Sequence, residues 1–189
     1  IAIDTNQTIH VECNFPELTE GGIQGNGESL LRNGDFEEWS NPEKEPDHWH
    51  FYKDGKDSIA LKITGSQARS GQAAYLQGKT YLYQDVEIEA GKRYEIKMHV
   101  NAPSPSFPWK YYCYWRKTKN SALPAEHNKP IQAQSYLKQT NGWINVFNGK
   151  SFIAPEGAKL LRVEIRTYGK EIIPEEGIYI DDFSVELVE

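Results

Sequence analysis

What most constrains this chain is the near absence of a helical period along it. Apolar residues recur at every second position over short runs, and each run is cut off by Gly, Pro, Asn or Asp. From residue 29 the runs are SLLRNGDFEEW (29–39), DHWHFYK (47–53), DSIALKIT (57–64), QAAYLQG (72–78), TYLYQDVEIE (80–89) and EAGKRYEIKMHVNA (89–102). After a Pro-rich break they resume as WKYYCYWRKT (109–118), GWINVFNGKSFIA (142–154), AKLLRVEIRTYG (158–169) and GIYIDDFSVELVE (177–189). About ten short strands joined by turns, with no helix between them, predict an all-β fold, an antiparallel two-sheet sandwich or barrel. Residues 1–28 stand apart, as a strand-like TIHVEC (8–13) on a Gly-rich linker, so a domain at 29–189 with an N-terminal appendage is expected. At 189 residues the chain is long enough to bury a sizeable core.

The alternation sorts inside from outside. In KRYEIKMHV, Tyr94, Ile96, Met98 and Val100 form the inward set, which leaves Arg93, Glu95, Lys97 and His99 outward. In LLRVEIRTY, Leu161, Val163 and Ile165 point in, and Arg162, Glu164 and Arg166 point out. WKYYCYWRK gives Trp109, Tyr111, Cys113 and Trp115 the character of core, with Lys110, Tyr112, Tyr114 and Arg116 opposite. In the last run Asp181 is expected on the inward face with Phe183, Val185 and Leu187, whereas Asp182 is not. An ionised Asp turned towards a core needs a partner or a metal. A similar concentration of charge occurs in LLRNGDFEEW, read as a strand opening after the turn dipeptide Asn33-Gly34, where Phe36 stands between Asp35 and Glu37.

Composition narrows the function. A net charge of −6 and the lack of any basic run interleaved with aromatics argue against a nucleic-acid partner. No apolar stretch approaches a membrane span. Ile1 rather than Met stands first, which leads us to expect a chain that begins after a removed leader or inside a longer protein, and hence export. Cys13 and Cys113, 100 residues apart, belong to no metal-ligand spacing; they pair if the compartment oxidises and otherwise are buried thiols. The five His residues form no triad motif, and no G-x-S-x-G, phosphate loop or dinucleotide fingerprint occurs. HWH (48–50) places two imidazoles beside Trp49, either as a metal-holding pair or as two solvated side chains. With 27 acidic residues, carboxylate pairs of the kind glycosidases use arise by chance. The polar, aperiodic segment 119–141 is expected to be functional or disordered.

The ordered series LLRNGDFEEW, HW at 48–49, RSGQAAYLQG at 69–78, YLYQDVEIEAGKRYEIKMHV, GW at 142–143 with FIAPEGAKLLRVEIR, and GIYIDDFSVELVE resembles the β-jelly-roll carbohydrate-binding modules of the group that includes families 4, 9, 16 and 22, a galactose-binding-like fold. The resemblance covers about residues 29 to 189, with an irregular insertion near 119–141. It implies a jelly roll and a structural calcium held by the backbone of Gly34, Asp35, Arg69 and Ser70 and the side chains of Glu37 and Asp181. Calcium takes six to eight hard oxygens at about 2.3–2.6 Å, which two carboxylates and loop carbonyls supply. The alternative is a metal-free site in which Glu37 and Asp181 pair with Lys or Arg or accept backbone N–H bonds.

For the ligand, sugars present flat C–H faces ringed by hydroxyls, so a site for them combines aromatic rings with polar groups. The expected set is Tyr112 and Tyr114 with Lys97, His99, Arg162 and Arg166, provided that WKYYCYWRK neighbours both KRYEIKMHV and LLRVEIRTY. The two Arg also suit a carboxylate clamp. The reading at this level is a secreted or surface module, outside the cytoplasm, that binds an oligo- or polysaccharide without catalysis and accompanies other domains of a longer protein. The rivals are a structural or adhesive sandwich with no glycan ligand and a β-sandwich glycan hydrolase or lyase.

Overall fold

The computed structural model describes residues 27–54, 58–124, 126–127, 129, 131–169 and 176–188. TIHVEC, most of the Gly-rich linker and Cys13 lie outside the described residues. Twelve strands are present among those described: β1 (His50–Lys53), β2 (Ile59–Thr64), β3 (Gln72–Gln77), β4 (Lys79–Glu87), β5 (Arg93–Asn101), β6 (Trp109–Thr118), β7 (Ser121–Ala122), β8 (Ile131–Gln132), β9 (Ile144–Asn145), β10 (Ser151–Ile153), β11 (Leu160–Tyr168) and β12 (Ile178–Leu187). A single 3₁₀ turn, Gly65–Gln67, follows β2. The strands form two antiparallel six-stranded sheets. One runs β1-β4-β11-β6-β7 with β8 also on β6, and the other runs β10-β5-β12-β3-β2 with β9 also on β5. The expected antiparallel two-sheet sandwich is therefore observed.

The core lies between the sheets and follows the alternation closely. Ile96, Met98 and Val100 of β5 face Leu161, Val163 and Ile165 of β11 and Trp109, Cys113 and Trp115 of β6 across one continuous cluster. Full burial of such side chains contributes roughly 1.5–3 kcal/mol each before conformational entropy is set against it. Cys113 is buried and carries no disulfide among the described residues; burial pushes its thiol up, so it stays protonated and unreactive.

Three expectations are corrected. Residues 30–39 are not a strand: after an isolated bridge from Ser29 to Glu186 the chain coils through turns, with Asn33 and Phe36 at φ 49° and 54°. Asn tolerates the left-handed region. For Phe it is strained, and burial holds it there: Phe36 is fully buried against Trp49, their ring centroids 5.1 Å apart. Residues 142–154 do not form one strand but break into β9 and β10 at Asn148-Gly149, both in the left-handed region (φ 49° and 73°). Asp181 does not share the phase of Phe183 and Val185. A bulge lies between Asp181 and Ser184, and Asp181 pairs in register with His99, on the outer phase of β5. It is nevertheless fully buried, because the loop at residues 69–70 closes over it.

The segment 119–141 carries strand structure in its described residues. It contributes β7 and β8 to the edge of β6, and Leu137 bridges back to Trp109.

Candidate functional site

The outer face of the sheet β1-β4-β11-β6 carries a continuous layer of aromatic rings and guanidinium groups. Register aligns it: Tyr52 and His50 of β1 oppose Tyr81 and Tyr83 of β4. Tyr81, Tyr83 and Asp85 oppose Arg166, Glu164 and Arg162 of β11. Glu164 and Arg162 oppose Tyr112 and Tyr114 of β6. Tyr52 stacks on Tyr81 (5.5 Å between centroids, 12° between planes), and Tyr112 stacks on Tyr114 (5.7 Å, 5°). Arg166 lies between Tyr81 and Tyr112, its Cζ 4.6 and 4.4 Å from the two centroids, and Arg162 lies 4.1 Å from the centroid of Tyr83. These are cation–π contacts, which a planar guanidinium makes well.

Both charges are balanced in place. Arg162 donates through Nε and Nη2 to the two oxygens of Asp85 at 2.8 and 2.7 Å. Arg166 is paired with the buried Glu164. Burial works against the Arg166 charge, but Glu164 more than offsets it and holds the guanidinium above its ordinary value. Desolvation pushes the Tyr114 hydroxyl up to about 12, so it remains a protonated donor at neutral pH. The Tyr112 hydroxyl bonds that of Tyr168 at 3.0 Å, and Lys110 lies over the rings of Tyr112 and Tyr136. The two Arg are thus parts of the platform rather than a free carboxylate clamp.

The structure gathers Tyr112, Tyr114, Arg162 and Arg166 but not Lys97 and His99, which lie on β5 in the opposite sheet. Because β6 neighbours β11 and not β5, the expected six-residue set divides in two. Lys97 is taken up by Glu186 (2.9 Å) and Glu95 (3.6 Å). Sequence reasoning missed Tyr52, Tyr81, Tyr83, Asp85 and Tyr168. The alternation in KTYLYQDVE marks Tyr81, Tyr83 and Asp85 as outward; what it lacks is the pairing partner that makes them a face.

The expected metal ligands converge on one loop. Asp181 accepts N–H bonds from Arg69 (3.2 Å), Ser70 (3.1 Å) and Asp182 (2.8 Å), and Glu37 accepts from the amide of Gln72 (2.7 Å). Gly34 sits beneath β12 with its carbonyl accepting from Phe183 N–H at 2.8 Å, and Asp35 is exposed in the adjoining turn. Gly71, at φ 43°, admits the Glu37 carboxylate where any Cβ would overlap it. The donor set suits a hard cation. Asp181 has no cationic side chain against it among the described residues, and burial pushes its carboxyl up to about 6. The amide oxygen of Gln72, whose nitrogen bonds the Glu37 carbonyl, is buried without a partner among the described residues. Among the described residues no three His, Cys, Asp or Glu side chains cluster as metal ligands, so a cation here would draw on amide oxygens as well.

No family model matches the chain, and no curated protein matches it. Among solved structures, the enzymatically active domain of bacteriophage CBA120 tailspike protein 4 matches with a TM-score of 0.64 at 12% identity, over 84% of this chain and 21% of that one. The chain therefore spans about a fifth of that domain. A family 61 carbohydrate-binding module, solved in complex with β-1,4-galactotriose, matches with a TM-score of 0.55 at 16% identity, over 84% of this chain and 97% of the module. A family 4 module matches with a TM-score of 0.52 at 20% identity, over 82% and 98%. A cyclase from Fischerella sp. TAU shares the fold too. Among the described residues no helix is long and apolar enough to cross a membrane. Two antiparallel sheets in this arrangement, matched over nearly the whole length of two such modules, give the protein the β-jelly-roll fold of carbohydrate-binding modules.

Proposed function

We propose that the protein binds an oligo- or polysaccharide on the tyrosine face of the sheet β1-β4-β11-β6, without catalysis. The observation that carries this reading is the platform itself: paired tyrosines on β1, β4 and β6, interleaved with Arg162 and Arg166, on an outer sheet face where packing of the core demands none of them. Tyr rings stack on pyranose C–H faces while hydroxyl and guanidinium donors address the sugar hydroxyls. The modules of families 61 and 4 with the same fold support a glycan ligand.

Non-catalytic action is supported by the state of Asp85 and Glu164, the carboxylates set among the tyrosines. A glycosidase needs one carboxyl free to give a proton and another free to attack or to activate water. Here Asp85 and Glu164 are each held by an Arg. The setting we assign is extracytoplasmic, as one module of a polysaccharide-handling protein.

The same reading includes a structural calcium at Glu37 and Asp181, with the oxygen of Gln72 and the Gly34–Asp35 and Arg69–Ser70 backbone around it. Such an ion supplies charge compensation for a buried carboxylate and ties the 34–37 turn to β12. It stands apart from the tyrosine face and takes no part in ligand binding.

The test is a glycan array on the purified chain, followed by titration of the selected glycan into wild type and Tyr112→Ala/Tyr114→Ala. Loss of two stacked rings should weaken binding at least about tenfold with the fold intact. Unchanged affinity would move the ligand off this face. Release of reducing ends from any polysaccharide would overturn the non-catalytic assignment.

A further inference from the structure

We propose that the cavity at the end of the tyrosine face binds an oxyanion, the carboxylate or sulfate ester of an acidic sugar whose neighbouring rings lie on that face. The proposal rests on the glycan-binding reading above. The cavity, of about 510 Å³, opens where β4 ends and β1 and β11 begin, and its wall includes Arg32, His48, His50, Asp85, Glu87 and Lys119. It is continuous with the platform: the His50 ring leans on Tyr83 at 5.1 Å, and Asp85 is the carboxylate that holds Arg162 over that same tyrosine.

The charge accounting at this wall favours an anion. Both oxygens of Asp85 are occupied by Arg162, which cancels its charge, and Glu38, 3.3 Å from His48 Nε2, does not line the cavity. Glu87 is the one carboxylate of the wall without a partner among the described residues. Against it stand two cations, Arg32 and Lys119, neither of which has an acidic partner among the described residues. Arg32 is anchored by its backbone alone. Its N–H donates to Gln84 Oε1 and its carbonyl accepts from Gln84 Nε2, both at 2.9 Å, so the main chain is fixed while the guanidinium is uncommitted. The main chain of Lys119 is fixed in the same way, its carbonyl accepting from Arg116 Nη2 at 2.7 Å.

The two imidazoles of HWH complete the wall, His50 from the edge of the platform and His48 from the turn before it. The turn that carries His48 (φ 70°) is pinned by Asn33, whose side-chain amide donates to the carbonyls of Asp47 and Glu38. The two cations and the His50 imidazole provide N–H donors. A guanidinium beside an ammonium matches a carboxylate or sulfate, whereas neutral hydroxyls require neither. A metal ion does not suit the place, since Arg32 and Lys119 repel it and no ligand cluster of three or more is present among the described residues.

The experiment compares oligogalacturonate with its carboxyl-reduced counterpart, and a sulfated oligosaccharide with its desulfated counterpart. The members of each pair differ only at the acidic group, which becomes a hydroxyl or hydroxymethyl. Wild type and Arg32→Gln/Lys119→Gln are titrated with each, after circular dichroism shows that both are folded. Wild type should bind the acidic member of at least one pair about tenfold more tightly, with the preference shrinking as salt rises, and the double variant should lose that preference. Equal affinity for both members in wild type, or a preference that survives in the variant, overturns the cavity's role and leaves the tyrosine face standing. Inorganic sulfate alone serves as the control for source. If it binds as tightly as the acidic oligosaccharide, the cavity is a free-anion site and the sugar assignment is wrong. If folded wild type binds neither member of any pair and no array glycan, the glycan reading fails, and this inference with it.

Discussion

Asp181 makes the sharpest prediction at the scale of a single residue. Its carboxyl is fully buried and pushed up to about 6 by desolvation, which the N–H groups of Ser70, Asp182 and Arg69 only partly offset. The folded chain therefore holds the Asp181 proton more tightly than the unfolded chain, where the ordinary value is 3.8. The sign follows: in the metal-free protein this group's contribution is most favourable below about pH 4 and is lost as the pH rises through about 6. A shift of this size corresponds to roughly 3 kcal/mol. Carboxylates such as Asp54, held below the usual range by Lys79, act with the opposite slope. The difference between wild type and Asp181→Asn isolates the effect. Urea unfolding from pH 4 to 7 in EDTA should show wild type losing stability relative to Asp181→Asn. Added calcium should remove that loss and raise the melting temperature, because an ion that binds the native state alone stabilises it by mass action. Wild-type curves that superimpose with EDTA and with calcium would count against the metal.

At the scale of elements, the turn at residues 33–36 and the bulge in β12 lock together. Phe183 N–H donates to the Gly34 carbonyl, and the Phe183 carbonyl comes so close to the Gly34 Cα that any Cβ there would overlap it. Backbone on both sides leaves no flexible group to yield. Gly34→Ala should therefore cost on the order of 2–4 kcal/mol, measured by denaturant titration, and more than Gly91→Ala, where the surroundings are open and only the backbone at φ 82° is strained. Wild-type stability in Gly34→Ala would show that the turn and the bulge move apart freely. This lock marks the limit of what the sequence made legible. Alternation fixed the inward sets of β5, β6 and β11, because period two is a local property and burial enforces it. The Asn33-Gly34 dipeptide announced a turn, yet the run of apolar residues around it read as a strand. That Phe36 sits at positive φ is decided by Trp49 and Phe183, which pack around it from distant positions. Half of the tyrosine face was equally hidden. Tyr112 and Tyr114 were visible within one run, while the partners that complete their platform are set by β4–β11–β6 pairing, and the same pairing removed Lys97 and His99 from it.

At the scale of the whole molecule, the question is which part of the chain the sandwich needs. Among the described residues, the strands of both sheets lie within residues 50–187. Among the described residues the first backbone contacts with β12 are made by Ser29 and Leu30, through the Ser29–Glu186 bridge and the bond from Leu30 N–H to the Val185 carbonyl at 2.8 Å. From there Leu31, Phe36 and Trp49 enter the same buried cluster as Phe183 and Val185. Among the described residues, every pair that closes a sheet comes from β1 to β12. Deleting 1–28 should therefore leave a cooperatively folding domain with a melting temperature within about 4 °C of the full chain, the shift expected of about 1 kcal/mol in a domain of this size. Deleting 1–36 should be far more harmful, because it removes Phe36 and Leu31 from the core and the Gly34 lock from β12; loss of a buried Phe alone costs about 3–5 kcal/mol. Thermal unfolding of the two truncations against the full chain decides the matter. A collapse of cooperativity in the shorter deletion would place TIHVEC among the strands the sandwich needs.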